Sequence, residues 1–285
     1  MARRENRRRA LPPTPFEQIA ERARRAGLDP RELPRRWEKV GDVLVLRFPP
    51  GLDIPREAIA PVYAGVLGAK TVVEKMGGVQ GPWRLPQVRW VWGDGTETVH
   101  LEDGVRFKLD VAKVMFSSGN LDERGRMARA PAAGETVVDL FAGIGYFSVP
   151  MAVHSEAARI VACEANPVAF GYLEDNIRIN RVVSIVPRLG DCRDVAPTGI
   201  ADRIVMGHFD APDFLDVAFR AAKRRAKIHL HGLIGPRHRA SAFEGRFEEE
   251  TRRHGFDTVS RNLRRVKSHA RKVWHVVLDA DVRRS

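Results

Sequence analysis

Apolar residues along this chain follow two rhythms, and the change between them divides the sequence. Phe16, Ile19, Ala20 and Ala23 recur at intervals of three and four, which predicts a helix from Phe16 to Ala26 stopped by Gly27 in the position of a C-cap. Val43 to Phe48 predicts a strand, ended by Pro49, Pro50 and Gly51, and Arg56 to Leu67 predicts a second helix. Shorter β-rich pieces follow at Thr71 to Lys75, Gln87 to Trp92 and Glu97 to His100, with Gly93-Asp94-Gly95 expected to turn a hairpin between the last two. Val105 to Asp110 adds a strand after the Asp103-Gly104 turn. A small mixed α/β module is therefore expected from Leu28 to Asp110. Core packing is the expected place for Trp83, Trp90 and Trp92, with stacking on bases as the alternative.

Beyond Asp110 a polar link, DVAKVMFSSGNLDERGRMAR, leads into strands that alternate with helices. Strands are predicted at Thr136 to Asp139, Arg159 to Cys163, Ser184 to Leu189, Ala201 to Met206 and Ala226 to Leu230. Helices are predicted at Pro167 to Asn180, with Ala169, Leu173 and Ile177 on one stripe, at Phe214 to Lys223 and at Ala240 to His254. Two last β-rich stretches, Phe256 to Val266 and Val273 to Asp279, can pair as a terminal antiparallel hairpin. This order predicts an α/β, doubly wound, mainly parallel sheet that binds ligands at its carboxyl edge. The expected organisation is a basic arm and helix over residues 1–27, the small domain over 28–110 and a catalytic domain over 111–285.

Candidate chemistry centres on VVDLFAGIGYFSVP. Gly143 and Gly145 lack the Cβ that would bar positive φ or hold a ligand away from backbone N–H groups, and Asp139 at the strand end can meet a polar ligand head. The next strand ends in Glu164, about 20 residues on, where nucleotide-binding folds place a carboxylate for the ribose. A G-x-G-x-x-G frame needs a third glycine, and Tyr146, Phe147 and Ser148 follow Gly145 instead. The pattern turns away from nicotinamide cofactors and resembles the Rossmann-like S-adenosylmethionine transferases. The plainer alternative is a tight turn with Glu164 as a solvated strand end. Asp191 can accept from an adenine amino group or cap a helix. The link, dense in Lys113, Ser117, Ser118, Asn120, Glu123, Arg124 and Arg126, can close over a cofactor, or it is an ordinary linker with a helix starting at Asn120 or Asp122.

Charge extends the picture to a partner. Forty-eight Lys and Arg against 36 Asp and Glu leave +12, which suits a polyanion such as nucleic acid, although a solvated arginine-rich surface carries the same sign. The arm Met1 to Arg9 can lie along phosphates or serve as a solubilising tail. Cys163 and Cys192 have no metal-ligand spacing, so no metal is expected and both are read as packing residues. No apolar run approaches the ~18 residues of a membrane span and MARRENRRRA lacks a secretory core, so a cytoplasmic protein without membrane contact is expected.

Several segments carry a resemblance across nearly the whole chain: RRWEKVGDVLVL, KLDVAKVMFSSGNLDERGRM, VVDLFAGIGYFSVP and VKSHARKVWHVVLD. They are similar to the family of the tRNA guanine-37 N1-methyltransferases and their relatives in wybutosine synthesis, which implies a Rossmann-like class I methyltransferase fold. The methyltransferases carry an Asn-Leu-Pro or Asn-Pro-Pro type motif after the strand that here ends in Met206, where this chain has Gly207-His208-Phe209. With MFSSGN and IHLHG, that departure resembles the archaeal aminocarboxypropyl-transferring branch. The resemblance implies transfer of the 3-amino-3-carboxypropyl group of S-adenosylmethionine to C7 of 4-demethylwyosine at position 37 of tRNA-Phe, in the anticodon region, releasing 5′-methylthioadenosine.

Such a reaction needs donors for the carboxylate of the amino-acid arm. Lys113, Ser117, Ser118 and Arg124 are the candidates, with His100 as a further donor. Asp139, Phe141, Ala142, Gly143 and Glu164 are expected to hold the adenosine, with Asp191 near adenine. Arg126 and His208 are the catalytic candidates, Arg126 toward phosphate or base and His208 as a base or a structural histidine. N1-methylation of guanosine 37 and a non-catalytic tRNA-binding protein remain the alternatives.

Overall fold

Thr14 closes a capping box on the first helix: its hydroxyl accepts the Glu17 N–H while the Glu17 carboxylate accepts from the Thr14 N–H. That helix, α1 (Pro15–Arg25), belongs to the first of two units in this computed structural model, which describes residues 12–236 and 239–285. The expected basic arm Met1 to Arg9 lies outside the described residues. The first unit runs to Thr98 and includes Asp110–Ala112; the second comprises Val99–Leu109 and Lys113–Ser285.

In the first unit, β1 (Trp37–Val40) and β2 (Val43–Leu46) pair antiparallel. The α2 helix (Arg56–Leu67) then crosses to β3 (Thr71–Gln80), parallel to β2, and β4 (Leu85–Gly93) returns antiparallel to β3. Ile19 and Ala23 of α1, Ile59 and Tyr63 of α2, and Leu44, Leu46 and Val72 of the sheet share one core. The first helix is thus part of the small unit's core, a correction to the boundary expected at residue 27.

The other expected boundary, at Asp110, differs as well. Here β5 (Glu97–Glu102) and β6 (Val105–Asp110) pair with each other and not with β4, so Gly93-Asp94-Gly95 does not turn a hairpin. Position 93, at φ +95, takes glycine because a Cβ there would lie 2.0 Å from the Lys70 carbonyl oxygen. The hairpin turn is Asp103-Gly104, both left-handed at φ 47 and 76, which matches the twist of the flanking strands. Trp92 packs against the core as expected, but Trp83 and Trp90 are 52% and 56% exposed, so the core assignment fails for those two.

The second unit holds the outer edge of β6 with amide side chains. Along α5 (Pro167–Ile179), Asn176 Oδ1 accepts the Lys108 N–H at 2.6 Å, and its Nδ2 donates to the Lys108 and Ile144 carbonyls. One turn on, Asn180 exchanges the same pair of bonds with Arg106.

In chain order this unit contains α3 (Leu121–Ala128), β7 (Thr136–Asp139), α4 (Ser148–His154), β8 (Arg159–Glu164), α5, β9 (Ile185–Leu189), α6 (Cys192–Val195), β10 (Ala201–Met206), α7 (Leu215–Ala221), β11 (Ala222–Ile234), α8 (Ala240–Arg253), β12 (Phe256–Ala270) and β13 (Val273–Arg284). The sheet order is β12-β13-β11-β10-β7-β8-β9. Strands β7 to β11 run parallel and β13 enters antiparallel beside β11, as expected of a Rossmann-like transferase sheet with a terminal hairpin.

The two faces of its β10 to β13 half differ sharply. Ile204, Ile228, Leu278 and Ala280 fall on one face, in an apolar core shared with α7 and α8. On the opposite face, registered neighbours place Arg203, His229, His231, His275 and Asp279, all but Asp279 nearly sealed from solvent. That buried polar seam turns out to adjoin the carboxyl edge.

Candidate active site

Three parallel strands, β7, β8 and β10, end side by side, and the loop after β7 is tied down between its neighbours. Leu140 N–H donates to Val205 O and Ala142 N–H to Cys163 O, each at 2.9 Å, which leaves Ala142 fully buried. Gly143 turns at φ +58 and Gly145 at φ +94; a Cβ on Gly145 would lie 2.5 Å from Val149 Cγ2. The second glycine is required twice over, by conformation and by helix contact.

The Asp139 side chain, expected to meet a ligand head, is turned onto its own loop. It is fully buried, accepts the Ser148 hydroxyl at 2.7 Å and the Phe141 N–H at 3.3 Å, and so holds both ends of the loop. Burial, with Glu164 adding like charge, raises its pKa to about 7. A raised carboxyl favours folding in acid, because the folded state keeps a proton that the unfolded chain has lost. This contribution is complete below about 3.8 and is lost as pH rises to about 7. The difference in urea stability between wild type and Asp139→Asn should therefore shift in favour of the variant across that window; a difference independent of pH would contradict it.

Glu164 is not a solvated strand end. Its Oε2 accepts the Gly143 N–H and its Oε1 the Asn166 N–H, both at 2.7 Å, while burial raises its pKa and those backbone bonds oppose the rise. Each oxygen keeps a second lone pair for a ribose hydroxyl. Asp191 takes the capping alternative, accepting the Arg193 N–H at the start of α6 and pairing with the Arg193 guanidinium. Phe141 borders the loop, edge-on to Phe214 at 5.1 Å and tilted on His208 at 5.5 Å. His208 Nδ1 accepts the Asp210 N–H at 3.2 Å, which leaves the ring proton on Nε2.

The polar link does lie against this loop. The Tyr146 hydroxyl donates to the Met115 carbonyl, and Phe116 sits among Tyr146, Phe107 and His100, with ring centroids 5.9, 5.7 and 4.8 Å away. Lys113 and Ser118 are exposed, and Ser117 Oγ accepts from Lys267 at 2.8 Å. Helix α3 starts at Leu121, between the two expected starts.

Arg124 and Arg126 were expected to reach for ligands, and the structure commits both elsewhere. The Arg124 side chain, 3% exposed, is forked on Glu102, donates to the Ser117 carbonyl and stacks over Phe116 at 4.9 Å. Arg126 is forked on Glu123 and reaches Asp279 at 3.1 Å. Adjacent acids spend both charges before a ligand arrives.

The buried polar seam went unassigned in the sequence. Glu123, 1% exposed, is pinned by Arg126 and by Arg264 at 2.6 Å. His229 bridges Asp279 at 2.5 Å and Arg203 at 2.6 Å, and Arg203 ends on Glu135. His231 Nδ1 meets His275 Nε2 at 3.0 Å. The signal was the alternation in AKIHLHG, which puts His229 and His231 on one face of a strand whose other face is apolar. Cys163 and Cys192 are buried free thiols, pushed up to about 12 chiefly by burial, as packing residues would be.

Known proteins match the chain over both of its halves. Residues 98–259 match the family described as the TRM5/TYW2 methyltransferase domain, and residues 26–96 match the TYW2 N-terminal domain. The chain is 42% identical over 255 residues to the tRNA(Phe) (4-demethylwyosine(37)-C(7)) aminocarboxypropyltransferase of Pyrococcus horikoshii, covering 89% of this chain and 91% of that protein. The crystal structure of P. horikoshii TYW2 in complex with MeSAdo superposes with a TM-score of 0.85 at 38% identity, covering 95% of this chain and 100% of that one. That of M. jannaschii TYW2 in complex with AdoMet gives 0.74 at 34% identity, covering 88% and 100%.

Proposed function

The chain belongs to the TRM5/TYW2 methyltransferase family, and from that premise we propose that it transfers the 3-amino-3-carboxypropyl group of S-adenosylmethionine to a tRNA, at C7 of 4-demethylwyosine 37 in tRNA-Phe. The observation that carries this reading is the extent of the match to an aminocarboxypropyltransferase over 89% of the chain, together with a TYW2 rather than a TRM5 type of N-terminal domain. The MeSAdo complex of the relative fits it, since methylthioadenosine is what remains of the donor once the arm has left.

A sulfonium makes three attached carbons electrophilic, so the product is chosen by the carbon presented in line with the nucleophile. In this reading C7 attacks the methionine Cγ. The Cγ–S bond breaks with its electron pair going to sulfur, and the C7 proton leaves to a base. Gly143 and Gly145 let the backbone approach the nucleoside, Glu164 accepts from its ribose, and Phe141 flanks it. The arm falls to His100, Lys113, Ser117 and Ser118 around Phe116. Gly207 fits the same loop, because a Cβ there would lie 2.7 Å from the Phe147 ring. Cation-rich surfaces elsewhere on a chain of net charge +12 suit the tRNA phosphates.

The test uses cofactor labelled separately on the methyl and on the carboxypropyl carbons. Carboxypropyl label should enter tRNA and methyl label should leave as methylthioadenosine. Methyl label in tRNA would make the protein a guanine-37 methyltransferase, and tRNA binding without cofactor binding would make it a non-catalytic partner.

A further inference from the structure

The carboxyl edge of the second unit carries a raised rim. Leu230 lies opposite Met206, the last residue of β10, but β11 continues to Ile234, opposite Trp274 of β13. At the usual strand rise the β12–β13 hairpin therefore stands ~13 Å beyond the end of β10. The loop after β10 leans on it: Phe209 packs edge-on to His269 and His275, with ring centroids 5.0 and 5.1 Å away.

The charge of this rim is one-sided. Between Asp257 and Asp279 the chain has no Asp or Glu, yet it carries Arg261, Arg264, Arg265, Lys267, Arg271 and Lys272. Three of these are committed inside the protein: Arg261 to Glu244 and Glu248, Arg264 to Glu123, and Lys267 to the Ser117 hydroxyl. Arg265, Arg271 and Lys272 are exposed and meet no carboxylate among the described residues. Exposed arginines of α1, α5 and α8 do have acids beside them, as in the pairs Arg25–Glu21, Arg178–Asp175 and Arg253–Glu250. Cations left together repel one another, and an anionic partner removes that repulsion.

An aromatic ring sits in the same cluster. Trp274 is 36% exposed, and the Arg265 guanidinium lies over its indole at 5.0 Å. A cation on one face steadies the ring and leaves the rest of its surface for stacking. Cations for phosphates beside a ring for a base are what single-stranded nucleic acid requires, whereas an acidic protein surface would need only the charge.

We propose that the tip of this hairpin docks the single-stranded tRNA loop that carries the reacting nucleotide, with Arg265, Arg271 and Lys272 on its phosphates and Trp274 under one of its unpaired bases. This rests on the reading of the protein as a tRNA transferase. Duplex RNA would meet the cations but has no free base for the ring. A loop held on this rim lies at the sheet edge where the same unit forms its glycine turn and places Glu164.

The experiment measures tRNA affinity against KCl concentration and maps backbone protection with hydroxyl radicals, for wild type, Arg265→Gln/Arg271→Gln/Lys272→Gln, Trp274→Leu and Trp274→Phe. Each lost contact removes about 0.7 from the slope of log affinity on log salt, so the triple variant should lose about 2, and with it the protection of the anticodon loop. Trp274→Leu should bind about tenfold more weakly at the wild-type slope, and Trp274→Phe, which still stacks, should recover most of that loss. Unchanged S-adenosylmethionine affinity shows that each variant is folded. A triple variant that keeps the wild-type slope, protection lost from the stem instead of the loop, or equal losses for Leu and Phe overturns the proposal. Wild-type protein that binds no tRNA would instead sink the transferase reading.

Discussion

Arg124→Met should lower the stability of the second unit by about 3–5 kcal/mol, the cost of stripping one partner from a buried ion pair. The Arg124 and Glu102 side chains are 3% and 9% exposed, and the guanidinium also donates to the Ser117 carbonyl. Burial alone would raise the Glu102 carboxyl, but hydrogen bonds from His100 and Arg124 hold it down at about 2. Without Arg124 the Glu102 carboxyl keeps the burial that raises it and loses one of the two hydrogen-bond partners that hold it down, so it is left buried and under-paired. Removing both charges in Arg124→Met/Glu102→Leu should recover most of the loss, since an apolar pair of similar volume replaces a buried ion pair at little cost. Urea denaturation of the four proteins in the cycle measures this. If Arg124 instead gripped the ligand carboxylate, the double variant would be stable yet deaf to cofactor, and the assignment of Arg124 to the scaffold would be wrong.

Glu164→Gln should weaken S-adenosylmethionine binding by about 100-fold, or roughly 2.7 kcal/mol. The carboxylate accepts a backbone N–H on each oxygen, from Gly143 and Asn166. An amide has one acceptor oxygen, so one of these N–H groups must face an NH₂ donor. If Gly143 is the one rejected, the loop loses its strut, and in either case the ribose loses half of its acceptor. Equilibrium dialysis with labelled cofactor reads the change. A shift of less than about threefold would remove Glu164 from the site, since even one neutral hydrogen bond contributes about 1 kcal/mol.

Sequence periodicity read the sheet well where strands are buried on both faces. Ala201–Met206 was expected with its observed ends, and so was helix Arg56–Leu67 although Pro61 lies inside it. The turn after β7 was also legible, because the positive φ of Gly143 and Gly145 and the closure of Glu164 on the Gly143 N–H depend on local spacing. What failed depends on distant partners. Gly93 imitates a hairpin turn, and only the approach of the Lys70 carbonyl explains it. Arg124 and Arg126 look available until Glu102 and Glu123 close on them, and Asp139 looks ligand-facing until Ser148 turns it inward. Trp83 and Trp90 sit on a ribbon whose outer end has too little chain above it to bury them. The histidine seam joins β11 to β13 across more than 40 residues, a pairing that alternation suggests but cannot register.

The amides of Asn176 and Asn180 have one more consequence. By occupying the Arg106 and Lys108 peptide groups, they break the row along the β6 rim of the short β5–β6 ribbon on which a strand from another molecule could template. Two side chains one helical turn apart thus guard the protein against side-by-side aggregation at a place where a backbone neighbour is missing.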